Sequence, residues 1–357
     1  MTKVVVAMSG GVDSSVAAAL LKQQGYEVIG MMLRLWSEPG KENSNRCCTP
    51  DAMAHARRVA ARLDIPFYVI DAKDIFFKTI IPYFIEGYGS GQTPNPCLEC
   101  NRHIRWEFLF NHALAFGADL MSTGHHVRKQ ELVDGRQLLL KGVDPAKDQS
   151  YVLHVMTQDK LVKAIFPIGN YPKSDIREMA ESIGLSVAKR PDSQDLCFLA
   201  GEDYREFLKR NAQGILIPGY IVNREGLVLG QHSGLPNYTI GQRKGLGLTS
   251  TEPLYVLDKN SESNILVVGT IDELGLNELI ATSVNWTCGI VPDKPFQAMV
   301  KTRYTAIPAQ ATVTPDKAAN SVKVSFESPQ RDITRGQAAV FYDGDIVIGG
   351  GLITNTK

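Results

Sequence analysis

The chain carries no net charge: 38 Lys and Arg are matched by 38 Asp and Glu over 357 residues. A chain that is basic throughout, the plainest announcement of nucleic-acid binding, is therefore excluded, although a local basic patch is not. Nowhere do 18 apolar residues run uninterrupted, so no membrane-spanning helix is expected. The start, Met-Thr-Lys-Val-Val-Val-Ala, passes straight into an apolar strand and lacks the small-residue cleavage region of a signal peptide, which makes the cytoplasm the expected location. Cysteine is sparse, with six in the chain (Cys47, Cys48, Cys97, Cys100, Cys197 and Cys288), and this argues against a disulfide scaffold. Internal repeats and low-complexity tracts are absent as well. Two nucleotide motifs are missing: no Lys-Ser or Lys-Thr closes a Walker A loop, and no G-x-G-x-x-G opens a dinucleotide fold.

What is present begins at Met8-Ser9-Gly10-Gly11-Val12-Asp13-Ser14-Ser15, where a strand-like run gives way to a helix start. Glycines there let the backbone approach phosphates, and unpaired amides with Ser hydroxyls can hold their charge. Asp13 is too acidic to face phosphates without a cation, which implies Mg²⁺. The absent motifs point away from γ-phosphate transfer and towards another use of a nucleotide.

The first half alternates strands and helices. Val4–Met8 reads as a strand, Ser14–Gln24 as a helix, Tyr26–Leu33 as a strand, and Thr49-Pro50-Asp51 opens a helix ending near Leu63. Ile65–Ile70 is strand-like, Ile104–Phe116 helical, and Leu120–Thr123 runs into Gly124-His125. Such alternation predicts a parallel sheet covered on both faces, with ligands beyond the carboxyl ends of its strands. Arg128–Lys141 reads as a hairpin attached to this domain, turning at Asp134-Gly135. Beyond residue 210 helices almost vanish, and short strands with turn signals predict a small antiparallel barrel at the end. The fold class is thus α/β, with a parallel-sheet nucleotide domain over residues 1–210, a small β-rich domain over 211–275 and a C-terminal antiparallel β-barrel over 276–357.

Ser9-Gly10-Gly11-Val12-Asp13-Ser14 resembles the PP-loop of ATP pyrophosphatases, which cleave ATP between its α and β phosphates. Thr93-Pro94-Asn95-Pro96-Cys97-Leu98-Glu99-Cys100-Asn101, Thr123-Gly124-His125, Lys147-Asp148-Gln149-Ser150-Tyr151 and Ser193-Gln194-Asp195-Leu196-Cys197-Phe198 together resemble the bacterial tRNA-specific 2-thiouridylase family. Tyr238–Gly245 and Arg335-Gly336-Gln337 extend the resemblance, in the same order, to the last strands. It implies ATP-dependent 2-thiolation of uridine at wobble position 34, on the tRNAs for Lys, Glu and Gln, with sulfur from a relay protein fed by a cysteine desulfurase. No membrane partner is implied.

By this resemblance Cys197 carries a persulfide and Cys100 is the second, nucleophilic cysteine, with a Cys100–Cys197 disulfide as an end state. Arg102, His103, Arg105, Lys189 and Arg190 lie near them in sequence and would favour thiolates. The nucleotide contacts would be Ala7, Met8, Ser9, Gly10, Gly11, Val12, Asp13, Ser14, Leu33 and Gly124. The target base would meet Asn95, Pro96 and Cys97. The tRNA would meet His125, Lys147, Asp148, Gln149, Arg303, Tyr304 and Gln337, with Lys301 beside them. Cys97 stands where some members carry Asp, so a second reading makes Cys97, Cys100 and Cys197 ligands of an iron–sulfur cluster. The C-x-x-C spacing also permits zinc. Two further readings are a different PP-loop ligation and a non-catalytic nucleotide-binding module with structural zinc; both leave Cys100 and Cys197 without chemistry. Residues 281–357 hold eight Lys or Arg and six Asp or Glu, so composition alone would not mark the barrel as an RNA module.

Overall fold

Val4-Val5-Val6 has no polar alternation, so its strand must be buried on both faces, and all three side chains are fully buried. The computed structural model describes residues 1–41, 49–188, 190, 196–331 and 333–356. The Cys47-Cys48 pair, Lys189 and the Asp192–Asp195 part of the last cysteine motif lie outside the described residues. The α/β part runs β1 (Lys3–Ala7), α1 (Val12–Gln23), β2 (Glu27–Arg34), α2 (Pro50–Arg62), β3 (Phe67–Asp71) and α3 (Lys73–Gly89). Next come α4 (Pro96–Glu99), a π-helical stretch Cys100–Leu109, α5 (Phe110–Ala115) and β4 (Leu120–Thr123). Thr49 caps α2 as its sequence implies, its Oγ1 accepting from Ala52 N at 3.0 Å. The 17-residue α3 was not legible as a helix, and Ile104–Phe116 is the later part of one continuous helical rod with a π-helical middle.

The chain continues with β5 (Val127–Glu131), β6 (Gln137–Lys141), α6 (Ser150–Leu153), α7 (Gln158–Val162), β7 (Ala164–Ile165), α8 (Lys173–Ser182) and α9 (Tyr204–Asn211). The parallel sheet has the order β3-β2-β1-β4-β7. Sequence order reverses between β1 and β4, and a crevice opens beyond their carboxyl ends. The central domain supplies β8 (Gly219–Val222), β9 (Val228–His232), β10 (Tyr255–Asn260) and β11 (Ile265–Gly269), in the order β10-β11-β8-β9. The barrel strands are β12 (Leu276–Trp286), β13 (Phe296–Lys301), β14 (Ala309–Asp316), β15 (Ser321–Gln330), β16 (Ala338–Asp343) and β17 (Ile346–Thr356). Pairing of β12 with β17 closes the barrel.

The β5–β6 hairpin packs on the α/β core and also reaches the barrel: Leu140 pairs with Ile346, so the hairpin extends the barrel sheet. The reason is apolar: Leu139 packs in one core with Val5, Met31 and Trp106 on one side and Val340, Tyr342 and Val347 of the barrel on the other. The opposite face of the parallel sheet is covered by α1, α2 and α8 through Val16, Ala52 and Ile176. Among the described residues no helix is long and apolar enough to cross a membrane.

The three parts meet at Lys259. Its buried Nζ donates to Gln92 O at 3.2 Å and Tyr238 O at 3.0 Å, while Arg335 Nη2 donates to Lys259 O at 2.7 Å and to Asp258 Oδ1 at 2.9 Å. Burial above all, with the Arg335 charge adding to it, pushes the Lys259 pKa down to about 7. A neutral amine still has two protons, one for each carbonyl. Below that pH the group is charged in the folded and unfolded chain alike, and folding bears the full cost. Between there and the ordinary 10.5 the unfolded amine holds its proton and the folded one does not, so stability rises with pH. Lys259→Met is expected to flatten that rise by up to about 1.4 kcal/mol per pH unit. Urea denaturation on the alkaline side of neutrality checks this, and an unchanged slope refutes it.

Candidate functional site

The crevice beyond β1 and β4 holds a cavity of ≈ 400 Å³. Its lip is the Ser9–Ser14 loop, which the first turn of α2 presses from behind. Gly10 has φ +72°, and a Cβ there would lie 2.2 Å from Ala52 O, so only glycine fits. The loop closes on itself: Ser14 Oγ accepts from Ser9 N at 3.1 Å, and Ser15 Oγ donates to Gly11 O at 2.8 Å. Gly11 caps α1 without a side-chain bond, which leaves the first-turn amides for a ligand. Across the crevice a Cβ on Gly124 would sit 2.5 Å from Ser14 N, so glycine is also what lets β4 end against α1.

Among the described residues, Arg105, Lys147, Lys173 and Arg190 line the cavity against a single carboxylate, Asp13. Four cations facing one acid suit an anion of several charges, such as a triphosphate. Leu33, Met31 and Leu35 supply an apolar wall where a flat ring can lie.

Asp13 explains the charge arrangement. Lys173 Nζ donates to both its oxygens, at 2.6 and 2.8 Å, and His126 Nε2 lies 3.1 Å from Oδ1. Burial on its own would raise the Asp13 pKa; His126 and Lys173 outweigh it and hold the carboxyl below its ordinary 3.8. Lys173 and His126 were not read from the sequence. One signal was there: Lys173 opens α8, where the helix dipole disfavours a cation. The cation that Asp13 requires is thus a lysine of the chain itself. Asp13, bonded to Lys173 through both oxygens, is no protein cage for Mg²⁺, and no step is assigned to a protein-held ion.

His125 is buried behind the opposite wall. Its Nδ1 lies 2.7 Å from Thr123 Oγ1 and its Nε2 3.1 Å from Arg105 Nη1. Burial first, then the charge of Arg105, keeps its pKa well below 6.5. Gln149 Oε1 accepts from His126 N at 2.9 Å and holds the corner in place.

The expected site residues divide into two groups. Ala7, Met8, Ser9, Gly11, Val12, Asp13, Ser14, Leu33, Gly124, His125, Lys147, Gln149 and Tyr304 all line the cavity. Gly10, Asn95, Pro96, Cys97, Cys100, Asp148, Cys197, Arg303 and Gln337 do not. Several of these are internal braces. Asp148 accepts from Gly142 N and from Ser150. Arg303 donates to Ile240 O at 3.3 Å and to Thr334 Oγ1. Gln337 Nε2 donates to Thr93 O at 2.8 Å, just before Asn95, whose Oδ1 caps the turn at Cys97 N.

Cys97 is exposed, while Cys100 and Cys197 are half-buried. The latter two border the same aromatic cluster, built on Phe76, Phe84, Phe198 and Phe207. The basic residues near Cys100 in sequence have other partners: Arg102 pairs with Glu99, His103 with Glu99 and Glu107, and Arg105 with His125. Arg190 donates to Gly10 O at 2.9 Å. Among the described residues no three His, Cys, Asp or Glu side chains are placed to hold a metal. Cys97, Cys100 and Cys197 therefore do not fit an iron–sulfur or zinc site in this arrangement, and no step is derived through one.

Three family descriptions match the chain in succession: a tRNA methyl transferase HUP domain over residues 2–201, a tRNA methyl transferase PRC-barrel domain over 205–270, and an aminomethyltransferase beta-barrel domain over 276–353. The tRNA-specific 2-thiouridylase MnmA of Clostridioides difficile is 43% identical over 353 residues, covering 98% of each chain. That of Heliobacterium modesticaldum is 47% identical over 353 residues, covering 98% of this chain and 92% of its own. Among solved structures, the U34-tRNA thiolase NcsA from Methanococcus maripaludis with its [4Fe-4S] cluster is 22% identical, covers 60% of this chain and 68% of its own, and has a TM-score of 0.36.

The Asp13–Lys173 pair makes a stability prediction. Lys173→Met leaves a half-buried carboxylate with His126 as its remaining partner and is expected to cost roughly 2 kcal/mol; adding Asp13→Asn should return more than half of it. The pair's contribution is present above the ordinary carboxyl pKa and is lost as pH falls through the depressed folded value. Urea denaturation of the single and double variants at neutral pH tests this, and a double variant no more stable than Lys173→Met sinks it.

Proposed function

The chain belongs to the tRNA-specific 2-thiouridylase family, and from that premise we propose that it replaces the C2 oxygen of the wobble uridine, position 34, by sulfur, cleaving ATP to AMP and pyrophosphate. The observation that carries the reading is one helical rod with two contacts. The stretch that starts at Cys100 borders the aromatic cluster, and further along it presents Arg105 and Leu109 to the cation-rich cavity. Methyl transfer, which two of the matched family descriptions name, would leave both the phosphate cradle and the cysteines unused.

The chemistry runs in two steps. The uracil C2 oxygen attacks the α-phosphorus of ATP; a P–O bond forms, the α–β bridge breaks, and N3 gives up its proton. The loop amides hold the departing pyrophosphate, and Leu33 and Met31 seat the adenine. Mg²⁺ bound to ATP would supply charge screening on the phosphates. In the second step the terminal sulfur of a Cys197 persulfide attacks C2, and AMP leaves with the C2–O electron pair. The Cys100 thiolate then attacks the Cys197 sulfur, breaking the S–S bond. The base departs as 2-thiouridine, regaining its N3 proton, and a Cys100–Cys197 disulfide is left for an external thiol to reduce.

Residues 1–210 perform this chemistry, while 211–275 and 276–357 hold the anticodon arm. The flipped base lies against Asn95, Pro96 and Cys97. Lys147, Gln149 and Tyr304 meet the RNA at the cavity, and His125 acts from within its wall. Asp148, Arg303 and Gln337 act from their braced positions by fixing the surface around it. The substrates are the tRNAs for Lys, Glu and Gln, and a persulfide-carrying relay protein recharges Cys197.

The test uses anaerobically purified full-length chain with ATP, Mg²⁺, a persulfide donor and unmodified lysine tRNA. Mass spectrometry of the digested tRNA should show one sulfur gained at position 34. Cys197→Ser should abolish the product, at least about a thousandfold, while tRNA-dependent pyrophosphate release persists. Product formation by Cys197→Ser, or product only when iron is bound, overturns the persulfide route.

A further inference from the structure

The wall opposite the phosphate loop contains an arrangement that the reaction above does not yet use. Arg105 lines the cavity, and its Nη1 lies 3.1 Å from His125 Nε2. Arginine can only donate, so Nε2 carries the lone pair and Nδ1 carries the proton, 2.7 Å from Thr123 Oγ1. The imidazole is held from both ends. It directly follows Gly124, which abuts the start of α1. The Thr123–His125–Arg105 series therefore fixes a guanidinium in the wall of the cavity that the phosphate loop also lines.

Two of the three other cavity cations among the described residues are placed differently: Lys173 is bonded to Asp13 through both oxygens, and Arg190 reaches the back of the loop at Gly10 O; the third, Lys147, comes from the segment before α6. Arg105 alone among the cavity-lining cations comes from the helix that carries Cys100, and it sits five positions further on, one π-helical repeat. That position suits the second half of the reaction. Once pyrophosphate has gone, the anion that remains is the α-phosphate, first as a diester to the base and then as free AMP. Its charge rises as the C2–O bond breaks, so a preset donor there stabilises the transition state more than the ground state.

We propose that Arg105 binds the α-phosphate of the adenylated uridine and of the AMP that leaves it, and that His125 is the residue that positions Arg105. This rests on the thiolation reading for its chemistry, though not for its binding. His125 stays uncharged at neutral pH through burial and the adjacent guanidinium, so the positive charge at this wall belongs to Arg105.

The experiment compares the full-length wild type with Arg105→Gln, Arg105→Lys, His125→Gln and His125→Asn. It measures AMP binding by calorimetry, pyrophosphate release and thiouridine formation, with melting curves as the folding control. Arg105→Gln should weaken AMP binding about tenfold to a hundredfold and lower the kcat of thiolation more than that of pyrophosphate release; Arg105→Lys should recover part of both. The two His125 variants separate positioning from packing. A Gln oxygen reaches the place of Nε2 and should keep Arg105 aligned, whereas an Asn oxygen reaches only the place of Nδ1 and should behave as Arg105→Gln does. Unchanged AMP affinity in Arg105→Gln overturns the binding role. Equal effects of the two His125 variants, or the reverse order, overturn the positioning role. Should a His125 variant not fold, the Arg105→Lys and Arg105→Gln pair still decides the binding role. A wild type that binds AMP through Arg105 yet forms no thiouridine overturns the thiolation reading and leaves Arg105 as a phosphate ligand.

Discussion

An acidic side chain in the first turn of a phosphate-facing helix is tolerable only beside a cation, and the Asp13–Lys173 pair meets that demand. Much of the α/β domain follows from it. Lys173 must open α8 next to the start of α1, so these two helices share the face of Val16, Ala17, Ile176 and Ala180. Asp144 Oδ2 accepts from Lys173 N at 3.1 Å, which ties the start of α8 to the segment that brings Lys147 to the cavity. The pair leaves three further cations facing the cavity, and this surplus makes it a site for a polyphosphate rather than for a neutral ring alone.

The same segment joins the nucleotide site to the barrel. In Lys147-Asp148-Gln149-Ser150-Tyr151 each side chain has a separate task. Lys147 faces the cavity, Asp148 caps the turn, and Gln149 fixes His126. Ser150 Oγ lies 3.2 Å from Tyr342 OH, and Tyr151 OH both donates to Ala338 O and accepts from Ala338 N. With the β5–β6 hairpin built into the barrel sheet, the last strands are continuous with the corner at His125 and His126. Residues that resemble RNA contacts, Asp148, Arg303 and Gln337, serve here as the joints of that frame. A contact surface for a large polyanion needs such joints, because a base presented a few ångströms off line is not attacked.

What could be read from the sequence was whatever is set locally. The strand–loop–helix at Ser9–Ser15, the cap at Thr49 and the strand Leu120–Thr123 need only neighbours in sequence, and they stand as read. Helix α3 was missed because Ile75, Phe76, Phe77, Ile80, Ile81, Phe84 and Ile85 leave no clear polar face to mark a 3.6 period. The hairpin's pairing with the barrel sheet is not legible because its partner, Ile346, lies some two hundred residues away. The pairing of Lys173 and His126 with Asp13 is not legible for a related reason. A pattern reports spacing along the chain, whereas a charge is neutralised across space. Asp13 signalled that a cation was needed, and the topology decided which one.

The division of polar and apolar walls bears on the sulfur chemistry itself. Phosphates need cations and water-like amides, and the cavity supplies them. Sulfur transfer needs less water, since a sulfur anion shielded from solvent is a stronger nucleophile and is protected from solvent oxidants. Cys100 and Cys197 border Phe76, Phe84, Phe198 and Phe207, outside the charged wall. Arg102 and His103, close to Cys100 in sequence, lie against Glu99 and Glu107. The helical rod from Cys100 to Leu109 separates the two environments and touches both. In the proposed reaction it is therefore the element across which sulfur passes to the adenylated base, and a shift of this rod would move Cys100 and Arg105 together.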